Sequence, residues 1–265
     1  MLYRLINKGR GFMTEQENLI PFSGIDPRGR LKFSVLLEMF QEMADIDASK
    51  YGLSVRQTIE HGITWVLRSY RIDLSKYPAK EDGPLRIKTY AEAYRNLFSL
   101  RSFKVWNQAG DFIGSAYTWW VLIDIGNKRP LRLDKVELMN PFRAQVSDVF
   151  PKEVRIPKLS DAQFEEIWKV RWQDLDVNDH TNHTVYFSWA LDTVPEEVPE
   201  KMVPVFVEGE FLKPVPRTKV CCLTEERSAE SGRSFVHSLR HIDDDSEYAK
   251  LTSLWKKDGR SKVEK

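Results

Sequence analysis

Between Asp174 and His183 the segment DLDVNDHTNH holds three aspartates, two asparagines and two histidines in ten positions, and the chain then turns aromatic in TVYFSWALDTVP. Three chemistries fit these residue types. His180 and His183 stand in an H-x-x-H spacing with Asp176 and Asp179 beside them, which could contribute metal ligands, although no third distant ligand is evident. Thr181 or Asn182 can cap a following helix, whose positive end favours the aspartates. Asp176, Asn178 and His180 alternate, so in an extended segment their side chains share one side, a carboxylate and an imidazole beside the N–H groups of a helix start. Spacing alone leaves metal site, cap and acid/base site open.

The surrounding elements show a repeat. In RLKFSVLLEMFQEMADIDASKYG, Phe33, Leu36, Leu37, Phe40 and Ala44 fall on one face of a long helix that Gly52 ends. A short helical SVRQTIEHG follows, then four segments rich in β-branched and aromatic residues, ITWVLRSYRIDL, LRIKTYAEAY, LFSLRSFKVWNQ and DFIGSAYTWWVLID, which predict an antiparallel meander. The second half repeats the plan: Tyr186, Trp189, Ala190 and Thr193 mark a helix closed by Pro195, and VFVEGEFLKPV, TKVCCLTEER, SFVHSLRHI and YAKLTSLWKK read as strands. The polar turn before each helix aligns as well, Asp26 in GIDPRGRLKF against Asp176, an offset of 176 − 26 = 150 residues. An α+β fold of two helix-plus-sheet units follows, each curved antiparallel sheet wrapping its helix. The expected organisation is an N-terminal extension over 1–20, a first domain over 21–140, a Pro-containing linker over 141–162 and a second domain over 163–265.

Composition narrows the partners. Forty Lys and Arg against 39 Asp and Glu give a net charge of +1 over 265 residues, without the basic excess of a nucleic-acid binder. No apolar run approaches the length needed to cross a bilayer, and the first residues lack a signal-peptide core, so a soluble cytoplasmic chain is expected. The neighbouring Cys221 and Cys222 point to opposite faces of a strand and are expected as free thiols.

The stretch DLDVNDHTNHTVYFSWALDTVP resembles the D-x-D-x-N-x-H-x-N-x-x-x-Y-x-x-W-x-L motif of the acyl-ACP thioesterases of plant plastids and bacteria. The resemblance extends to EMADIDASKYGLS, GITWVLRSYRIDLSKYPAKEDGPLRIKTYAE, SLRSFKVWNQAGDFIGSAYTWWVLIDIGNKRPLRL and EFLKPV, from about Phe22 to Lys257. It implies two tandem hotdog domains, the N-terminal one holding the acyl chain and the C-terminal one the catalytic motif. It also implies hydrolysis of the thioester between a fatty acyl chain and acyl carrier protein, with Asp176, Asn178 and His180 as catalytic residues. A thioester is already activated, so no metal or cofactor is expected. The sequence departs from the pattern in one place: where the plant enzymes carry a Glu followed by a Cys, it has Pro214 and Val215. Asp176 is then the first choice for the missing carboxylate, ahead of Glu208 and Glu210.

An acyl chain needs a long apolar slot, for which Phe40, Trp65 and Trp120 are candidates, together with Phe33, Leu37 and Trp119. An acidic carrier protein calls for local basic groups: Lys128, Arg129 and Arg132, with Lys135 nearby, or Arg28, Arg30 and Lys32 in the first polar turn. A tandem of hotdogs mimics the usual dimer within one chain, so a monomer is favoured over a homodimer. The alternatives are a hotdog acyl-CoA thioesterase and a non-catalytic acyl-chain sensor.

Overall fold

The computed structural model describes residues 13–140 and 156–259. The first half runs β1 (Met13–Asn18), α1 (Phe33–Ser49), α2 (Val55–Glu60), β2 (Ile63–Leu74), β3 (Leu85–Arg95), β4 (Phe98–Trp106) and β5 (Phe112–Asp124). The second half repeats that order as β6 (Phe164–Lys169), α3 (His183–Asp192), α4 (Glu197–Lys201), β7 (Met202–Phe211), β8 (Lys219–Arg227), β9 (Arg233–His241) and β10 (Glu247–Lys257). All ten strands form one antiparallel sheet in the order β1-β3-β4-β5-β2-β7-β10-β9-β8-β6. The order is a palindrome about the β2–β7 pair, as two copies of one unit joined back to back must give.

The four predicted strands of each half are present, and so are both principal helices. Three elements differ from expectation. Residues 13–18 belong not to an extension but to an edge strand, β1, in register with β3 from Met13↔Tyr90 to Asn18↔Leu85. Its sequence MTEQEN buries only Thr14, so no apolar alternation announces it. For the same reason FEEIWK hides β6, although the boundary expected at 162/163 falls just ahead of it. The five-residue α4 was also missed. Of the expected linker, 141–155 lie outside the described residues; Ser160 is pinned to the second half, its N–H and hydroxyl donating to the Glu225 carboxylate at 2.6 and 2.8 Å.

Helix α1 forms because its apolar face continues unbroken over Phe33, Leu36, Leu37, Phe40 and Met43, all buried. It ends where Gly52 adopts a left-handed φ of 73° and Leu53 N–H returns to Ala48 O at 3.0 Å. Phe40 packs on Phe103 of β4 at 4.8 Å between ring centroids. One continuous core spans both halves, and Phe187 of α3 lies at its centre. That ring meets Phe33 of α1 at 5.9 Å, Tyr70 of β2 at 5.7 Å and Phe211 of β7 at 5.9 Å. It lies over Gly209, where any Cβ would stand 3.1 Å from its edge, and Gly209 is the residue paired with Tyr70 across the β2–β7 junction. Phe187→Ala should cost about 3–5 kcal/mol. Because the ring touches both halves, urea unfolding followed by tryptophan fluorescence should move as one transition.

Two histidines are held neutral by burial. His183, whose ring sits 5.9 Å from Tyr70 and 6.3 Å from Phe211, is lowered from 6.5 to about 4. His237, 2.9 Å from the hydroxyls of both Thr224 and Ser253, is lowered to about 3. The unfolded chain therefore takes up these protons first, so the contribution is complete above pH 6.5 and declines as pH falls toward about 4. Unfolding free energies measured at about pH 7.5 and about pH 4.5 should differ by less in His183→Phe than in the wild type.

Candidate active site

The polar segment that precedes α3 is a closed loop. Asn182 N–H donates to Asp174 O at 2.8 Å, joining its ends, and Asp176 N–H donates to His180 O at 2.7 Å. Within it the Asp176 Oδ1 accepts the N–H groups of Asn178 (2.8 Å) and His180 (3.3 Å), and Asp179 takes a left-handed φ of 60°. Asp176, Asn178 and His180 are thus not presented by extended alternation, as expected, but by a tight turn. The physical reason is the short carboxylate, which bonds backbone two and four residues ahead and outcompetes an extended chain. The His180 ring is exposed and makes no bond to Asp176, whose Oδ1 serves the backbone. Asn182 is the cap of α3, its side-chain oxygen accepting Thr184 N–H at 3.0 Å, so one of the helix N–H groups expected to face an oxyanion is already used. His183 packs in the aromatic core, and among the described residues no three His, Cys, Asp or Glu side chains gather as a metal site.

The first half carries the same loop, bond for bond, 150 residues earlier. Asp26 N–H donates to Arg30 O (2.8 Å), the Asp26 Oδ1 accepts from Arg28 and Arg30 N–H (2.8 and 2.9 Å), and Gly29 supplies the left-handed position with φ 79°. Where the second loop has His180, this one has Arg30. Its guanidinium is not a surface group, as expected, but 7% exposed: it pairs with Asp26 at 2.7 Å and donates to Met202 O (2.8 Å) and Pro199 O (2.7 Å) across the junction. It lines a cleft of about 300 Å³ together with Leu191 and Asp192 of α3.

The matching cleft beside α1 is open and larger, about 530 Å³. Gln41, Ala44 and Ala48 of α1 form one wall, with Leu53, Trp65 of β2, Trp120 of β5 and Met139 around it. Val177, from the Asp174–Asn182 loop of the other half, completes the lining although it is 84% exposed. Asn182 Nδ2 donates to Gln41 Oε1 at 3.3 Å, a second tie between loop and slot. Trp65 and Trp120 satisfy their indole N–H groups on Leu53 O (3.1 Å) and Thr118 Oγ1 (2.8 Å), leaving ring surface for the slot. Phe40, by contrast, does not line it: α1 turns that ring into the core against Phe103. Phe33, Leu37 and Trp119 are likewise core residues, Trp119 because neighbours on a strand face opposite ways.

Of the pair Pro214 and Val215, Val215 is bonded to the Asp174–Asn182 loop and Pro214 is exposed. Val215 O accepts Thr181 N–H at 3.0 Å, and Val215 N–H donates to the Tyr186 hydroxyl at 2.8 Å. Glu210 is held in an ion pair with Arg68 at 2.5 Å, and Glu208 is buried in β7 opposite Arg71 and Thr252; Asp176 belongs to the loop itself, its Oδ1 on the backbone of the turn. Lys128, Arg129 and Arg132 are exposed on the hairpin after β5, where Arg132 pairs with Asp134 at 3.1 Å and the adjoining Leu131 packs into the small cluster that includes Trp65. Sequence reasoning missed the Asp47–Arg101 ion pair beside the slot. Asp47 sits seven residues after Phe40 on the apolar face of α1, and that misplaced charge was the available signal.

Comparison with known proteins agrees with this architecture. Residues 11–142 match the family model of the acyl-ACP thioesterase N-terminal domain, and 158–257 that of the C-terminal domain. Oleoyl-acyl carrier protein thioesterase 1 of Arabidopsis thaliana, a chloroplast protein, is 25% identical over 223 residues, covering 74% of this chain and 61% of its own length. This chain therefore spans less than two thirds of that relative. Among solved structures, an acyl-ACP thioesterase from Bacteroides thetaiotaomicron superposes with a TM-score of 0.78 at 22% identity, over 92% of this chain and 98% of its own. The 12:0-ACP thioesterase of Umbellularia californica gives 0.79 at 20% identity, over 93% and 95%. The two family models together cover nearly all the described residues, and the chain belongs to the acyl-ACP thioesterase family.

Proposed function

We propose that the protein hydrolyses the thioester of fatty acyl chains carried on acyl carrier protein, releasing the free fatty acid. One observation carries this reading: the loop bearing Asp176, Asn178 and His180 in one half meets the mouth of a largely apolar slot in the other, through Val177 in the lining and the Asn182–Gln41 hydrogen bond. The acyl chain lies in the slot, with its thioester where Val177 and Gln41 meet. His180 takes a proton from water, which attacks the carbonyl carbon, and the tetrahedral oxyanion is met by the Asn178 amide. Collapse breaks the C–S bond, and the thiolate of the phosphopantetheine arm takes the proton back from the imidazolium. The carboxylate of Asp176 holds the backbone of Asn178 and His180 in place and carries its charge on the turn where the imidazolium forms.

His180→Ala should lower kcat on acyl-ACP by roughly 10²–10⁴-fold. Asp176→Asn separates two roles of that residue, since an amide oxygen can still accept both N–H groups but carries no charge. It should fold normally and lose activity. Full rates in both variants would refute the assignment, and a wild type that binds acyl chains without releasing fatty acid would favour a sensor.

The basic hairpin fits the carrier protein. Replacing Lys128, Arg129 and Arg132 with Glu should raise KM for acyl-ACP and weaken its salt dependence while leaving kcat and acyl-CoA hydrolysis unchanged. Equal wild-type turnover of CoA and carrier-protein thioesters would remove the claim of carrier selectivity.

A further inference from the structure

The open slot is not apolar throughout. On β4, Phe103 packs against Phe40, and Arg101, two residues before it on the same face, meets Asp47 two helical turns further along α1. Asp47 is fully buried and Arg101 is 9% exposed. Arg101 Nη1 donates to Asp47 Oδ2 at 2.8 Å and to Thr89 Oγ1 at 3.1 Å, while Asp47 Oδ1 accepts from Thr14 Oγ1 at 2.7 Å. Both carboxylate oxygens are thereby engaged.

The guanidinium is not. Arginine offers five N–H donors in a fixed fork, and its favoured pairing with a carboxylate uses two of them side by side. Here Asp47 is met through Nη1 alone. Among the described residues Nε and Nη2 make no hydrogen bond, and Arg101 lines the slot together with Ser99, Ala91 and Trp120. Donors of a buried charge that face an apolar cavity call for an acceptor within that cavity. A plain hydrocarbon chain has none, and would strip water from the guanidinium without replacing it.

We propose that the free edge of Arg101 binds an oxygen on the acyl chain, so that the slot selects chains bearing a hydroxyl or keto group over unsubstituted ones. The position of that oxygen follows from α1: Gln41, at the catalytic loop, and Asp47 are six residues apart, or roughly 9 Å along the helix. The oxygen therefore lies well down the chain rather than beside the thioester. This rests on the reading of the slot as the acyl site and specifies its substrate class.

Binding tests it without hydrolysis. The full chain is titrated with free fatty acids and with hydroxy acids of the same lengths substituted at successive positions, followed by fluorescence of Trp65 and Trp120. At one mid-chain position the hydroxy acid should bind roughly tenfold more tightly than the plain acid, the effect of one added hydrogen bond to a charged group. The double variant Asp47→Asn/Arg101→Met, which removes both charges together and keeps an acceptor for Thr14, should bind plain acids and show no preference. Plain acids binding the wild type as tightly as every hydroxy acid, or neither class binding, would overturn the inference. So would a wild type confined to short plain acids whose limit lengthens in the variant, because Arg101 would then be a depth stop. A chain that prefers hydroxy acids yet hydrolyses no acyl-ACP would leave this inference standing and remove the proposed activity.

Discussion

The structure depends on the antiparallel pairing of β2 with β7. Without it there would be two five-stranded sheets, each with an open edge of unpaired backbone groups. With it, one ten-stranded sheet carries α1 and α3 in mutual contact. Phe187 secures the joint, because its ring reaches α1, β2 and β7 at once and needs a residue without a side chain beneath it, which Gly209 supplies. The active site inherits its geometry from this joint. The loop that carries His180 belongs to one half and the slot to the other, so their distance is set by how the halves are locked.

Two copies of one loop show how little chemistry a backbone specifies. Asp26 and Asp176 make the same hydrogen bonds to the same positions of their turns. The turns differ in the side chains they carry, Pro27 against Val177, Arg28 against Asn178, Gly29 against Asp179 and Arg30 against His180: the long cation at position 30 reaches across to carbonyl groups of the other half, while the imidazole at 180 stays exposed. The turn is a mount, and function depends on what is mounted.

Much of this was legible in the sequence where side-chain pattern and structure share a cause. The apolar face of α1 and the aromatic alternation of β2 to β5 are packing patterns, and the repeat of Asp26 at Asp176 marks a real structural equivalence. The edge strands β1 and β6 were not legible, because a strand with solvent on most sides needs no alternation. The lining of the slot was legible in part: Trp65 and Trp120 line it as expected, but Phe40 looks like them as a large apolar residue, and only the rotation of α1 turns it to the core. Asp176, Asn178 and His180 were legible as residue types but not as geometry, since backbone hydrogen bonding by Asp176 is invisible to a pattern of alternation.

The buried Arg30 has a consequence for symmetry. A pair of identical hotdog subunits must present two equal sites, and any substitution alters both. Joining the copies in one chain lets the two loops differ, and here Arg30 fastens one to the opposite half while the His180 ring of the other stays exposed. The molecule therefore has a fastened side and an exposed side built from the same template, and a substitution in one half need not alter its equivalent in the other.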